Sequence, residues 1–220
     1  MKVIHYGDRN YFFQESSGLD VLLDEIFNDN YKIFDKGIIF EPDDIVVDIG
    51  ANVGAFSILL AKNFPDITIY AIEPVPITFG LLCSNIELND VKNVIPIHTA
   101  IGYNNGIMKI QCNQFLGGSS AYMRQNADIT DEVYVPVITL DNLFTSLKID
   151  KKCKLLKIDT EGAEYDILYH TNMLSNIKYV VGEFHENQYL ISLGYNPHTL
   201  AHYISQQTNM LYYETCHMSE

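Results

Sequence analysis

The sequence predicts an α/β fold: a mostly parallel sheet with helices on both faces, plus an extra β-hairpin. Three observations predict it. Ile45-Val46-Val47 is a continuous apolar, β-branched run, as a strand covered on both faces requires; it leads through Asp48-Ile49-Gly50-Ala51-Asn52-Val53-Gly54 into Ala55, Ile58 and Leu59 at helical spacing. Further apolar runs at Ile67–Ile72, Val94–Ile97, Leu155–Ile158 and Ile177–Phe184 alternate with helical patterns, the signature of strand–helix–strand units. Gly106–Cys112 and Tyr134–Leu140 instead alternate in side-chain character across a polar stretch, which predicts an antiparallel pair outside that series.

Composition bounds the possibilities. A chain of 220 residues is most simply one domain, here a helical or cap segment over 1–44 ahead of a core over 45–215. The formal charge of −14, with no compensating basic block, disfavours nucleic acid and anionic membranes as partners. No apolar run reaches membrane-spanning length, and the start, Met1–Asp8, lacks a secretory apolar core, so a cytoplasmic protein is expected. Cys83, Cys112, Cys153 and Cys216 are dispersed without a Cys-x-x-Cys pair and read as reduced thiols. His198 and His202 have metal-ligand spacing on a helix, but no patterned third ligand accompanies them, so they read as a solvated face.

In order along the chain, Leu19, Leu22, Leu23 and Ile26 predict a helix over Ser17–Tyr31, capped by Ser16 or Ser17 and placed to lie over the mouth of a site. Gly37–Phe40 reads as a short extended piece, and Glu41-Pro42-Asp43-Asp44 as a turn into the first core strand. Pro76 starts a helix that Asn89-Asp90 ends. Pro96 cannot donate to a ladder, so Val94–Ile97 is predicted at a sheet edge, as the strand order 3-2-1-4-5 requires. Asn113–Glu132, with Gly117-Gly118-Ser119-Ser120, reads as a loop over the site offering Tyr122 and Arg124. Asp141 starts a short helix, Thr160–Leu168 opens another, and Asn196-Pro197 caps a helix running to about Thr208. Met210–Thr215 reads as a last strand.

The chemistry concentrates at strand ends. Gly50 and Gly54 permit backbone angles or close approaches that a Cβ would obstruct, and free N–H groups beyond them could face a ligand. Glu73, at the end of the next strand, is placed to accept hydrogen bonds from a ribose. A dinucleotide enzyme is the alternative, but it favours Gly-x-Gly-x-x-Gly, and the spacing here is Gly50-x-x-x-Gly54. Asp159 ends the fourth main strand, followed by Glu161, Glu164 and Asp166, and the fifth strand brings Glu183 and His185 on one side because they are two apart.

With these residues in hand, the chain resembles the FkbM family of S-adenosylmethionine-dependent methyltransferases. The blocks that carry the resemblance are VVDIGANVGAFSILLA (46–61), IYAIEP (69–74), IPIHTAIG (95–102), VITLDNL (137–143) and LLKIDTEGAEYDIL (155–168). The resemblance implies a Rossmann-like, class I methyltransferase sheet, S-adenosyl-L-methionine as cofactor, and methyl transfer to a hydroxyl of a sugar, lipid or natural-product acceptor. By position it implies that Gly50, Asn52 and Gly54 hug the methionine part and Asp48 orients its ammonium. It further implies that Glu73, with Pro74, binds the ribose, Ala100 and Ile101 line the adenine, and Asp159 and Glu161 lie at the transfer centre.

An acceptor alcohol must lose a proton, so a base is expected nearby. His185, with an ordinary pKa near neutrality, and Asp159, with Glu161 and Glu183 close enough to raise it, are the candidates. The same acids could instead hold a divalent cation that acidifies the hydroxyl. A non-catalytic module that kept the fold is a third alternative.

Overall fold

Neighbouring residues of the central strands feed two separate cores, because side chains alternate across a strand. Val46, Ile69, Leu155 and Val181 pack into one core, and Val47, Ile72, Leu156 and Val180 into the other. A sheet apolar on both sides must be covered on both sides, and the computed structural model, which describes residues 1–113, 129–149 and 153–218, shows this arrangement.

The chain opens with β1 (Lys2–Tyr6) and β2 (Arg9–Phe13), then α1 (Leu19–Phe27). β3 (Ile45–Ile49), α2 (Ala55–Asn63), β4 (Thr68–Ile72), α3 (Pro76–Leu88) and β5 (Val94–Ile97) form the first strand–helix–strand series. β6 (Ala100–Gly102), β7 (Gly106–Asn113) and β8 (Ile129–Thr139) follow. α4 (Leu140–Ser146), β9 (Cys153–Ile158), α5 (Glu164–Tyr169), β10 (Ile177–Glu186), α6 (Gln188–Ser192), α7 (Pro197–Ser205) and β11 (Asn209–His217) complete the chain.

The main sheet has the order β11-β10-β9-β3-β4-β5, and each pairing in it is parallel. β5, with Pro96 opposite Ala71, lies at the edge, as expected. Side chains of α1, α2 and α3 fill the first core, and those of α4, α5 and α7 the second. The expected hairpin forms between β7 and β8, and β6 adds to β8 in parallel to make a separate three-stranded sheet. β11 pairs parallel to β10, so the last strand extends the main sheet. Among the described residues no helix is long and apolar enough to cross a membrane, and none of the four cysteines, all of them described, forms a disulfide.

Several local expectations are corrected. The segment before Ser17, for which the sequence analysis gave no strand, builds a hairpin that turns at Gly7 with φ 60°. Gly7-Asp8 between short alternating runs was the available signal. The first helix is shorter than Ser17–Tyr31, and its cap is Gly18 in the left-handed region with no side-chain cap bond. Gly37–Phe40 forms no strand. The helix after Asp159 begins only at Glu164, because Thr160-Glu161-Gly162 is a turn with Glu161 at φ 55°. Tyr122 and Arg124 lie outside the described residues.

The N-terminal hairpin is tied down by two asparagines of α3. The fully buried Asn85 accepts from Gln14 N at 2.8 Å and donates to Val53 O at 2.9 Å. Asn89 accepts from Phe12 N at 3.0 Å and donates to Phe12 O at 2.6 Å. These side chains satisfy the edge of β2 as a neighbouring strand would.

Two outcomes are expected. Asn85→Ala strands the partly buried Gln14 N–H and the buried Val53 carbonyl, so chemical denaturation should show a loss of about 1–3 kcal/mol, with faster amide exchange at Gln14. Gly50→Ala should cost more than about 2 kcal/mol in the same measurement, because Gly50 has φ 77° and an added Cβ would meet the Asp159 carbonyl oxygen at 1.8 Å.

Candidate functional site

Three left-handed residues within five, Gly50 (φ 77°), Asn52 (φ 52°) and Gly54 (φ 86°), coil the chain between β3 and α2. The coil is fixed from both sides. Gly50 N and Ala51 N both donate to Ile72 O, at 3.0 and 2.9 Å, and Asn52 N donates to Glu73 Oε2 at 3.0 Å. Gly50 O accepts from Lys157 Nζ at 2.8 Å. Glycine at 54 is needed for packing as well as for φ, since a Cβ there would lie 2.6 Å from Leu82 Cδ1.

Beyond this turn, at the carboxyl ends of β3, β4 and β9, opens a cleft of about 740 Å³, counting its part open to solvent. Ligand crevices of open α/β sheets lie at this end. Of the residues singled out from sequence, Gly50, Asn52, Glu73, Pro74, Ala100, Ile101, Asp159 and Glu161 line the cleft. Thr99, Met108 and Ile110, contributed by the small sheet and the residue before it, complete one wall. Gly54, Asp48 and His185 are not among the lining residues.

Asp48 requires a correction. Its side chain is completely buried, where Ser57 Oγ donates to Oδ2 at 2.7 Å and Lys157 Nζ lies 3.3 Å from Oδ1. Side chains alternate along β3, and Asp48 points into the sheet's flank, not into the crevice. It therefore acts on the cleft through Lys157, which grips the glycine turn. Burial pushes the Lys157 ammonium down, but Asp48, Asp159 and Glu183 outweigh it and hold the pKa above its ordinary value. Lys157 was missed from sequence. A lysine within the otherwise apolar run Leu155–Ile158 was the signal, because a buried charge demands partners.

Glu73 faces the cleft with Val75 N donating to Oε1 at 2.9 Å and Asn52 N to Oε2 at 3.0 Å. Burial raises its pKa to about 7, against those two bonds and Lys157, which favour the charged form. Asn52 Oδ1, in the same wall, is buried with no hydrogen-bond partner.

At the other end of the cleft the acids share a network. His185 Nδ1 lies 3.1 Å from Glu164 Oε1, and its Nε2 lies 3.8 Å from Glu161 Oε2 and 4.0 Å from Asp159 Oδ1. Burial alone would lower the imidazole, but Glu164, Glu161 and Asp159 raise it to about 10. An imidazolium has no lone pair to take a proton, so of the two candidate bases, Asp159 and His185, this environment favours Asp159. His185 orients the carboxylates instead. Glu164, which the sequence placed in the acid cluster without a site role, accepts from Thr160 N at 2.8 Å and from Gly162 N at 3.1 Å, so it closes the Thr160–Gly162 turn. Burial would raise Glu164, but His185 and these backbone bonds hold it below the usual range.

Tyr31 reaches this network from the N-terminal segment. The buried Asp29, accepting from Ile33 N, Phe34 N and Asp35 N at 2.7, 3.0 and 2.9 Å, fixes the turn around it. The Tyr31 hydroxyl lies 3.1 Å from Asp159 Oδ2 and 3.1 Å from Glu183 Oε1. The helix expected over the mouth thus sends its following turn there. No sequence signal separates Tyr31 from the other tyrosines.

Asp159, Glu164 and His185, and likewise Glu183, His185 and Cys216, gather ligand-type atoms within 4.8 Å. Lys157 Nζ, 3.6 Å from Asp159 Oδ2, adds a cation of the protein's own beside these groupings.

Comparison with known proteins identifies the lineage. A family model described as the methyltransferase FkbM domain matches residues 48–212. Methyltransferase 1 of Beauveria bassiana (strain ARSEF 2860) is 31% identical over 175 residues, 70% of this chain and 69% of its own length. The 31-O-demethyl-FK506 methyltransferase FkbM of Streptomyces tacrolimicus is 25% identical over 192 residues, 74% of this chain and 73% of its own. Among solved structures, precorrin-6y C5,15-methyltransferase from Geobacter metallireducens GS-15 aligns at 14% identity over 74% of this chain and 59% of its own, with a TM-score of 0.38. The matched span takes in the glycine turn, Glu73, Asp159 and His185, and on that match the chain belongs to the FkbM family of methyltransferases.

Proposed function

We propose that the chain is an S-adenosylmethionine-dependent O-methyltransferase whose acceptor is a hydroxyl of a small molecule or glycan: a sugar, a lipid or a natural product. The observation that carries this reading is the unpartnered Asn52 Oδ1 set between the Gly50 cradle and Glu73 in one wall of the cleft. An orphaned buried acceptor beside a carboxylate that keeps a spare lone pair on each oxygen, beyond the bonds from Val75 N and Asn52 N, suits a ligand bearing an ammonium and hydroxyl groups. The Streptomyces relative is named for an O-demethyl substrate, which supports oxygen as the methylated atom.

Bound S-adenosylmethionine would supply an electrophilic methyl carbon on a positively charged sulfur. The chain's own residues would do the rest. Asn52 Oδ1 would accept from the amino group and Glu73 from the ribose hydroxyls, while Ala100, Ile101 and Met108 offer an apolar seat for the adenine. Asp159, on the cleft wall, would take the acceptor's proton, and Glu161 beside it would add negative field. His185 and Lys157 would hold Asp159 in place, and positioning of this kind supplies much of the acceleration in an in-line displacement.

Calorimetry with S-adenosylhomocysteine is the direct test. The protein should bind it, and Glu73→Ala should weaken binding by about 10- to 100-fold, as expected for two lost hydrogen bonds of about 1 kcal/mol each. No binding by the folded protein would overturn the reading. The pH dependence has a definite sign. Because Glu73 titrates at about 7 in the free protein, above its ordinary 4.5, its contribution to folding stability is full below 4.5 and is lost as pH rises through 7. Ligand binding runs oppositely, since only the carboxylate accepts from two hydroxyls. Affinity should therefore fall from pH 8 to pH 6, with proton release on binding near neutrality, and Glu73→Gln should flatten this.

Asp159→Asn should leave S-adenosylhomocysteine affinity within a few-fold and reduce methyl incorporation by about 10²–10⁴-fold. The measurement is transfer of isotope-labelled methyl from S-adenosylmethionine into a host-cell extract.

A further inference from the structure

The Tyr31 hydroxyl sits between two carboxylates with one proton to give. Its oxygen is 3.1 Å from Asp159 Oδ2 and 3.1 Å from Glu183 Oε1. The ring is held edge-on by Phe56 at 5.5 Å between centroids, and the Lys157 ammonium lies 5.6 Å from its centre. Burial, with Asp159, Glu183 and Asp48, raises the Tyr31 pKa well above 10, so the hydroxyl stays protonated. A neutral phenol donates one hydrogen bond. When both carboxylates are ionised, one of them meets a lone pair across 3.1 Å. When Glu183 is protonated, all three oxygens are satisfied: Glu183 donates to Tyr31, and Tyr31 donates to Asp159.

The surroundings of Glu183 make this change of state accessible. Cys216 Sγ donates to Oε2 at 3.2 Å, and its thiol is held up by burial and by Glu183 itself, so it remains a donor. Asp159 and Lys157 of β9 and its end, His185 of the same strand, Tyr31, and Tyr212, Glu214 and Cys216 of β11 are the charged and titratable groups that surround Glu183. Burial and then Asp159 push Glu183 up to about 7, while Cys216, His185 and Lys157 pull it down.

We propose that Tyr31 and Glu183 are positioning residues that set the basicity of Asp159. With Lys157 Nζ 3.6 Å from Asp159 Oδ2 already answering that carboxylate, ionised Glu183 draws the Tyr31 proton to itself, and Asp159 Oδ2, freed of the phenol, is ready to take the acceptor's proton. Neutral Glu183 donates to the Tyr31 oxygen, turns the Tyr31 proton onto Asp159, and quenches it. The acid limb of methyl transfer then belongs to Glu183, a residue remote from the acceptor. This rests on the O-methyltransferase reading, which assigns Asp159 as the proton acceptor.

The test has an arm that needs no acceptor. In the full chain carrying ¹³Cζ-tyrosine, the Tyr31 resonance, identified by its absence in Tyr31→Phe, should shift between pH 5 and pH 9 with a midpoint near 7. The step should vanish in Glu183→Gln. A flat Tyr31 resonance, or a step that survives Glu183→Gln, overturns the proposal. In the second arm, kcat for labelled-methyl transfer into cell extract at saturating cofactor should fall about tenfold from pH 8 to pH 6 in the wild type. It should fall less than about threefold in Tyr31→Phe, with S-adenosylhomocysteine affinity unchanged. A wild-type slope retained in Tyr31→Phe overturns the proposal. Absence of S-adenosylhomocysteine binding in every variant would instead defeat the O-methyltransferase reading, while the resonance titration would still report on the shared proton.

Discussion

Lys157 places an ammonium group where β3, β9 and the glycine turn meet, and the geometry of the crevice depends on that placement. Its oxygen contacts include Gly50 O at 2.8 Å, Asp48 Oδ1 at 3.3 Å and Asp159 Oδ2 at 3.6 Å. An ion taken out of water must be repaid by good geometry on every side. Here the repayment joins the backbone that would cradle the ligand to the carboxylate at the reacting end. Removing one partner of such a buried pair typically costs about 3–5 kcal/mol. The two ends of the cleft are therefore coupled through one side chain.

The N-terminal segment matters for the same reason. A six-stranded sheet order leaves the carboxyl ends of β9 and β10 open, and Tyr31 closes them over Asp159 and Glu183. That closure is held at a distance. Asn85 and Asn89 pin the hairpin to α3, α1 packs into the first core, and Asp29 knots the turn that carries Tyr31. Short polar side chains bonded to backbone fix the direction of the segment, while Tyr11, Phe13, Leu19, Leu23, Ile26 and Ile33 bury it in the first core.

The acids around the cleft are separated in proton affinity by environment alone. Glu73 and Glu183 are lifted by burial to about 7. Glu164 is buried as deeply but stays ionised, because His185 and two backbone amides answer its charge. Splitting chemically alike groups in this way lets one site both accept hydrogen bonds and hold a proton near neutral pH. His185, which looks like a base by residue type, is spent on Glu164.

Much was readable in one dimension. The run Ile45–Val47, the edge-strand Pro96, the helix-starting Pro76 and the residues Gly50, Asn52, Glu73, Ala100, Ile101 and Asp159 follow from periodicity, local backbone rules and matched motifs, all of which act over a few neighbouring positions. What the linear order could not reveal is where a side chain ends up once strands from distant segments lie side by side. Asp48 turned inward to Lys157, His185 acquired three carboxylate neighbours, and Tyr31 arrived from more than a hundred positions away to stand between Asp159 and Glu183. Charge state and burial are properties of that three-dimensional neighbourhood. They were settled only when packing chose which groups lose water and which partners replace it.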